Sequence, residues 1–227
     1  EFCISHSETI MKTAADWFRA NAYLLNEQKT QHLVFCNNYN FKTKNNFGSV
    51  KFLGIRLDVN LTWSSHIEDV SSRLSRVIFL LRNLNNFITP VYARSAYFSF
   101  FQSVFRYGLI FWGNCSRIRE ILILQKKAVR ILANANFLEH CKPLFIKLEV
   151  LTVINLFIYD VLLYTLNNMN NYNLVSTIHN HNTRNNKNIQ VPYTRLSKAV
   201  NSHMITGMKI YNTSSPEDRL PVKSLFL

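Results

Sequence analysis

Helical apolar spacing through the middle of this chain limits its fold more than any other property. Ile67, Val70, Leu74, Val77, Ile78 and Leu81 recur at alternating three- and four-residue intervals, which puts them on one face of a helix. Ser65-x-x-Glu68 ahead of them has the spacing of a capping box, in which each side chain satisfies a backbone N–H that the first helical turn leaves open. Thr89-Pro90 opens a second helical pattern, because proline fits a first turn whose N–H needs no partner. That pattern runs through AYFSFFQSVFRYG toward Gly108. A third begins after Ser116, read as its cap, with Ile121, Leu124, Ala128 and Leu132 on one side. The most apolar stretch, 151–166, is shorter than the roughly 20 residues of a membrane span. It also carries Asn155 and Asp160, so a buried helix is expected and no membrane partner.

The first part of the chain is mixed. Ser5-x-x-Glu8 predicts a helix whose Ile10, Ala14, Trp17, Phe18 and Leu25 share a broad face. Strand patterns follow at 31–36 and 50–57, the second interrupted by Gly54, with an Asn- and Lys-rich connector between them. The expected fold class is α+β and predominantly α. A helix plus an antiparallel strand pair occupies 1–62, a basic helical region 63–170, and an Asn-rich C-terminal segment 171–227. At 227 residues and 48% hydrophobic content the chain can bury a substantial core. Its 27 asparagines gather at 83–86, 167–173 and 179–188, which read as loops and helix ends without chemistry of their own.

Charge is distributed unevenly. Seven basic and seven acidic residues cancel over 1–70, whereas 71–135 holds ten basic residues against the single acid Glu120. The middle third is therefore the electropositive part and attracts phosphate polymers or anionic lipid. At 100° per residue Arg119, Lys126 and Arg130 fall within about 40° of one another, opposite the apolar side of their helix. Ile123 interrupts that stripe. Cys3, Cys36, Cys115 and Cys141 are far apart with no C-x-x-C pair, so neither a disulfide framework nor a zinc knuckle is signalled. Pooling His140-Cys141 with His179-x-His181 makes only a weak metal site, and none is assigned. A reduced, intracellular protein is expected, nucleus and cytoplasm not being distinguished. The start at Glu1-Phe2-Cys3 shows no secretory leader and suggests a piece of something longer.

Several motifs occur in one order along nearly the whole chain. They are Trp17-Phe18-x-x-Asn21-x-x-Leu24-Leu25-Asn26-x-x-Lys29-Thr30, Lys51-Phe52-Leu53-Gly54-Ile55-x-Leu57-Asp58 and Leu61-x-Trp63-x-x-His66-Ile67. Ala96-Tyr97-Phe98, Tyr107-Gly108-x-x-Phe111-Trp112-Gly113 and Leu124-Gln125-Lys126-Lys127-Ala128-Val129-Arg130 come next. Glu139-His140-Cys141-Lys142-Pro143-Leu144-Phe145 and His181-Asn182-Thr183-Arg184 complete the series. Together they resemble the C-terminal part of the reverse transcriptase, an RNA-directed DNA polymerase, of non-LTR retrotransposons, jockey-like mobile elements in particular.

The resemblance implies the end of a polymerase palm followed by a thumb-like helical region. It implies that Lys29 approaches the phosphates of an incoming dNTP, where an ammonium donates a proton and stabilises developing charge. The alternative for Lys29 is a helix C-terminal lysine satisfying the last carbonyls. By the same resemblance Phe52, Leu53 and Gly54 belong to a primer-grip-like hairpin. Arg73, Arg76, Arg119, Lys126, Lys127 and Arg130 track an RNA template and DNA primer through their phosphates. Mg²⁺ is expected for the full-length polymerase and no cofactor for this piece. The sequence departs from the family pattern at Ala22, where a second lysine is frequent, and at Tyr211-Asn212-Thr213-Ser214-Ser215-Pro216, where Asn-x-Leu-Pro is usual. No Ala-Asp-Asp box is present, so the chain alone is expected not to polymerise. A stand-alone basic nucleic-acid-binding module and a transposon relic without function remain the alternatives.

Overall fold

In the computed structural model, residues 2–31, 33–35, 48–177 and 185–214 are described. The chain divides into two compact units, 1–65 and 66–227. The described part is mainly helical, with one two-stranded antiparallel sheet, so the α+β, predominantly α expectation holds.

In the first unit, α1 spans Phe2–Ala20. It starts ahead of the predicted capping box, because no glycine or proline precedes Ser5 to break it, and Ser5 is an interior residue. Leu25 lies past its end. The expected apolar face is only partly covered, with Ile10 and Trp17 exposed and Trp17 set edge-on to Phe18.

The end of α1 is a Schellman motif. The Tyr23 N–H donates to the Phe18 carbonyl (2.8 Å) and the Ala22 N–H to the Arg19 carbonyl (3.1 Å), while Ala22 takes φ 59°. Glycine is favoured at that left-handed position because a Cβ clashes there. Ala22→Gly is therefore expected to stabilise the first unit by about 0.5–1 kcal/mol, after allowing for the greater freedom of unfolded glycine. Urea unfolding checks this, and a lower midpoint would contradict the cap.

The strand prediction needs correction. Residues 31 and 33–35 are neither helix nor strand, and the rest of 31–36 lies outside the described residues. The sheet instead forms within the 50–57 pattern itself. Strand β1 (Ser49–Phe52) pairs with β2 (Ile55–Asp58) in the register Phe52↔Ile55 and Val50↔Leu57. Leu53 (φ 46°) and Gly54 (φ 85°) form the turn. Positive φ at both central residues is the mark of a type I′ two-residue hairpin, so the glycine folds the strand back on itself.

In the second unit, Ile67, Val70, Leu74, Ile78 and Leu81 are buried along α2 (Ser64–Leu84) as expected, with Val77 half-buried. The helix begins one residue before Ser65, which is thus inside it. Its lead-in is held by Asp58, whose carboxylate accepts from the Thr62 N–H (2.7 Å) and hydroxyl (2.9 Å). The next pattern is α3 (Pro90–Ala96), a π-helical segment Tyr97–Gln102 and α4 (Ser103–Arg106). Tyr97, Phe101 and Phe105 are all fully buried. Residues four apart drift by about 40° around an α-helix, and the wider i→i+5 turn takes up that drift.

After α5 (Leu109–Trp112), α6 (Ile118–Leu132) starts at Arg117, not Ser116, and has no side-chain cap bond. Arg117 organises this end by salt bridges to Glu120 (2.6 Å) and Glu68 (2.7 Å). At the other end Asn85 Nδ2 donates to the Ile131 carbonyl (2.8 Å) and Asn134 Oδ1 (2.7 Å). Ties between corresponding ends give α2 and α6 the same direction. Asn85 therefore has a bonding role that the reading of asparagines as bare loop residues missed.

Helix α7 is Cys141–Lys147 and α8 Val153–Asn167. The latter buries Val153, Leu156, Phe157, Val161, Leu162 and Thr165 but exposes Ile154 and Ile158, so it is a half-buried helix. Among the described residues no helix is long and apolar enough to cross a membrane. Helix α9 (Ser197–Val200) precedes α10 (His203–Thr213). A Cβ at Gly207 of α10 would meet Thr165 Oγ1 of α8 at 2.1 Å, so only glycine lets these helices approach so closely. Asn212, in the departing C-terminal motif, is a structural residue. Its Nδ2 donates to the Ile189 carbonyl and its Oδ1 accepts from the Ile189 N–H, both at 2.8 Å. That holds buried Ile189 against Ile205 and Met208.

Candidate nucleic-acid interface

Lys29 ends a short 3-10 turn, Glu27–Lys29, and is exposed. Asn26 shapes that turn: its carbonyl and Oδ1 both accept from the Lys29 N–H at 3.1 Å, and its carbonyl accepts from Thr30 Oγ1 at 2.9 Å. The ammonium therefore sits beyond the end of α1 on a bonded turn of its own. Phe52, Leu53 and Gly54 come together at the tip of the hairpin. Phe52 is 62% and Leu53 73% exposed, so this tip projects apolar surface outward.

The six basic residues singled out in the sequence divide into two groups. Arg73, Arg76, Arg119 and Lys127 are exposed on the outer sides of α2 and α6. Lys126 and Arg130 are half-buried and line a cleft of about 1300 Å³ within the second unit. Ile121, Ala128 and Leu132 are buried on the opposite side of α6 and Leu124 half-buried, while Ile123 is 54% exposed. Predicted stripe and predicted interruption are both present. Glu120, the one acid of α6, is held below the usual carboxylate range by its hydrogen bond from Arg117. It is thus engaged away from the four cations of the helix, none of which pairs with an acid among the described residues.

The cleft contains basic residues that sequence reasoning did not single out. Arg94, Arg106 and Lys142 join Lys126 and Arg130 there, with Glu139 and Glu149 as the carboxylates. Several of these groups are fixed. Arg94 donates to the Leu148 carbonyl (2.8 Å) and Glu149 (3.0 Å) and lies 5.2 Å from the centre of the Phe98 ring. Arg106 reaches Asp160 at 3.2 Å. Burial raises the Asp160 carboxyl above its ordinary value, and Arg106 opposes that shift. Arg130 Nε donates to the Glu139 carbonyl at 2.9 Å. Lys142 is exposed at the start of α7.

Gln102, the last residue of the π segment, lines the cleft at 8% exposure, and its Oε1 has no hydrogen-bond partner. An unsatisfied buried acceptor costs about 1–3 kcal/mol, and π segments recur at functional sites. The sequence signals for this cleft were the Ala96-Tyr97-Phe98 and Glu139-to-Phe145 motifs. Chain order alone does not place the two face to face.

The walls are set by a buried polar network. Gln125 Nε2 donates to Tyr97 Oη (2.8 Å) and the Leu151 carbonyl (2.9 Å), and its Oε1 accepts from the Val153 N–H (2.8 Å). Gln125 and Tyr97 are both fully buried, and burial raises the Tyr97 phenol far above its ordinary value. The network joins the π segment, α6 and the start of α8.

The Mg²⁺ expected for a full-length polymerase does not fit the carboxylates described. Asp16 pairs with Arg19, Asp58 holds Thr62 and Asp160 pairs with Arg106. No group of three His, Cys, Asp or Glu residues among the described residues is arranged for a metal ion. His140 and Cys141 line the cleft, whereas His179 and His181 lie outside the described residues, as does the 181–184 motif. No family model, curated protein or solved structure matches the chain.

Proposed function

We propose that this chain is the C-terminal part of an RNA-directed DNA polymerase of a non-LTR retrotransposon, and that it positions primer-template nucleic acid. The observation that carries the reading is α6, which sets Arg119, Lys126, Lys127 and Arg130 opposite a buried apolar face. Cations presented by one helix without an acidic partner among the described residues suit a polyanion better than a fold whose surface charges neutralise one another. The hairpin with its exposed Phe52–Leu53 tip supports a primer-contacting role, and Lys29 on its own turn supports an approach to nucleotide phosphates. In this reading dNTP and Mg²⁺ meet aspartates outside this chain.

The test is the affinity of the chain for an RNA–DNA primer-template with a template overhang, measured against salt. A log K against log salt slope of about −4 or steeper, nearly equal for unrelated sequences, is expected if four or more cations meet phosphates. A slope near zero, or strong preference for one sequence, overturns the reading.

A further inference from the structure

A phosphate backbone alone does not call for the cleft beside α6. A duplex rests on exposed cations, and Arg73, Arg76, Arg119 and Lys127 provide them outside the cleft. Inside it are Lys126 and Lys142, which have no acid partner among the described residues. The aromatic side chains of Phe98, Phe145 and Tyr159 also line it. So does the buried Gln102, whose Oε1 is an open acceptor. Its volume of about 1300 Å³ exceeds the roughly 300–1,000 Å³ of ordinary small-molecule pockets.

We propose that this cleft takes an unpaired nucleotide of a single-stranded segment. The phosphates on either side of that nucleotide lie at Lys126 and Lys142. Its base enters among the aromatic side chains and donates an N–H to Gln102 Oε1. Unpaired bases are recognised through stacking and their pairing edges, which paired bases cannot offer. Every base carries at least one N–H on that edge, so the site accepts all four. The proposal rests on the nucleic-acid reading above and assigns the cleft to the unpaired part of the substrate.

The experiment uses the full chain and fluorescence anisotropy with four probes. They are a labelled single strand, the same strand with abasic sites, a blunt duplex, and unlabelled deoxyadenosine monophosphate as competitor. The intact strand is expected to bind about tenfold tighter than the abasic one, the value of one modest stacking contact. Gln102→Leu should remove most of that difference while leaving the blunt duplex unchanged. Its melting temperature should not fall, because the substitution deletes an unsatisfied buried acceptor. Lys142→Gln, at an exposed position that folding does not need, should flatten the single-strand salt slope by about 0.7.

Equal binding of intact and abasic strands overturns the proposal, as does a base-dependent gain that survives Gln102→Leu. Displacement by the free mononucleotide at concentrations matching the strand reassigns the cleft to small nucleotides and also overturns it. A steep duplex slope without any base-dependent gain removes the cleft proposal alone, whereas a flat duplex slope removes the nucleic-acid reading beneath it.

Discussion

Gln125→Leu is expected to destabilise the second unit by about 3–5 kcal/mol. The side chain is fully buried and makes three hydrogen bonds, to Tyr97 Oη, the Leu151 carbonyl and the Val153 N–H. Leucine fills much of the same space but strands the buried Tyr97 hydroxyl and Val153 N–H and unpairs the Leu151 carbonyl, and a buried unsatisfied group costs about 1–3 kcal/mol. Two such penalties and one lost hydrogen bond of about 1 kcal/mol, less the gain of a larger apolar side chain, give the expected range. Urea unfolding followed by circular dichroism reads it directly. The same substitution at Gln102 is an internal comparison, since that buried glutamine lines the cleft yet leaves its Oε1 unsatisfied. A loss below about 1 kcal/mol for Gln125→Leu would mean that packing, not the polar network, holds α6 against the start of α8.

Replacing Arg119, Lys126 and Arg130 together by Gln is expected to flatten the salt slope for primer-template by about 2–3 units. Each cation that meets a phosphate displaces a condensed counterion, with a slope contribution of about 0.9 on a duplex and about 0.7 on a single strand. Because the slope multiplies across salt, a fourfold rise in ionic strength should weaken the parent about 40-fold more than the variant. The loss should be similar for unrelated sequences, since phosphates carry no base information. Arg119 is exposed and its loss should cost within about 0.5 kcal/mol of stability. Arg130 gives up a hydrogen bond to the Glu139 carbonyl, worth about 1 kcal/mol. Lys12 and Arg19 provide a control in the charge-balanced stretch 1–70, Arg19 being already paired with Asp16 at 3.0 Å. An unchanged slope in a folded triple variant would reduce the stripe to an ordinary solvated face.

Helices α2 and α6 were legible in the sequence because local spacing specifies them. A three- and four-residue apolar rhythm has one buried solution, and Ile67, Leu74, Ile78, Ile121 and Leu132 take it. The stripe on α6 was legible for the same reason, since Arg119, Lys126 and Arg130 fall opposite the buried face, although Arg130 also meets the Glu139 carbonyl. Signals that depend on a single residue were less reliable. Ser5 and Ser116 have good capping chemistry, but α1 begins upstream of one and Arg117 occupies the N-cap after the other. Gly54 was visible as a break in a strand, and only the backbone showed the break to be a two-residue turn. Whether the first unit resembles a polymerase palm rests on motif order, which periodicity does not address.

The sequence alone determined the helical class of the second unit, the concentration of positive charge at 71–135 and the buried sides of α2 and α6, because these follow from residue types a few positions apart. The tertiary structure decided what the charges face. Lys126 and Lys127 are neighbours in the chain, yet the packing of α6 against α7 and α8 turns the first into the cleft and leaves the second in solvent. Gln102 and Gln125 are chemically identical, yet one meets three partners and the other leaves an acceptor open. Long-range geometry separates them: a hydrogen bond depends on a few tenths of an ångström between residues distant in the chain, and no local pattern encodes that distance.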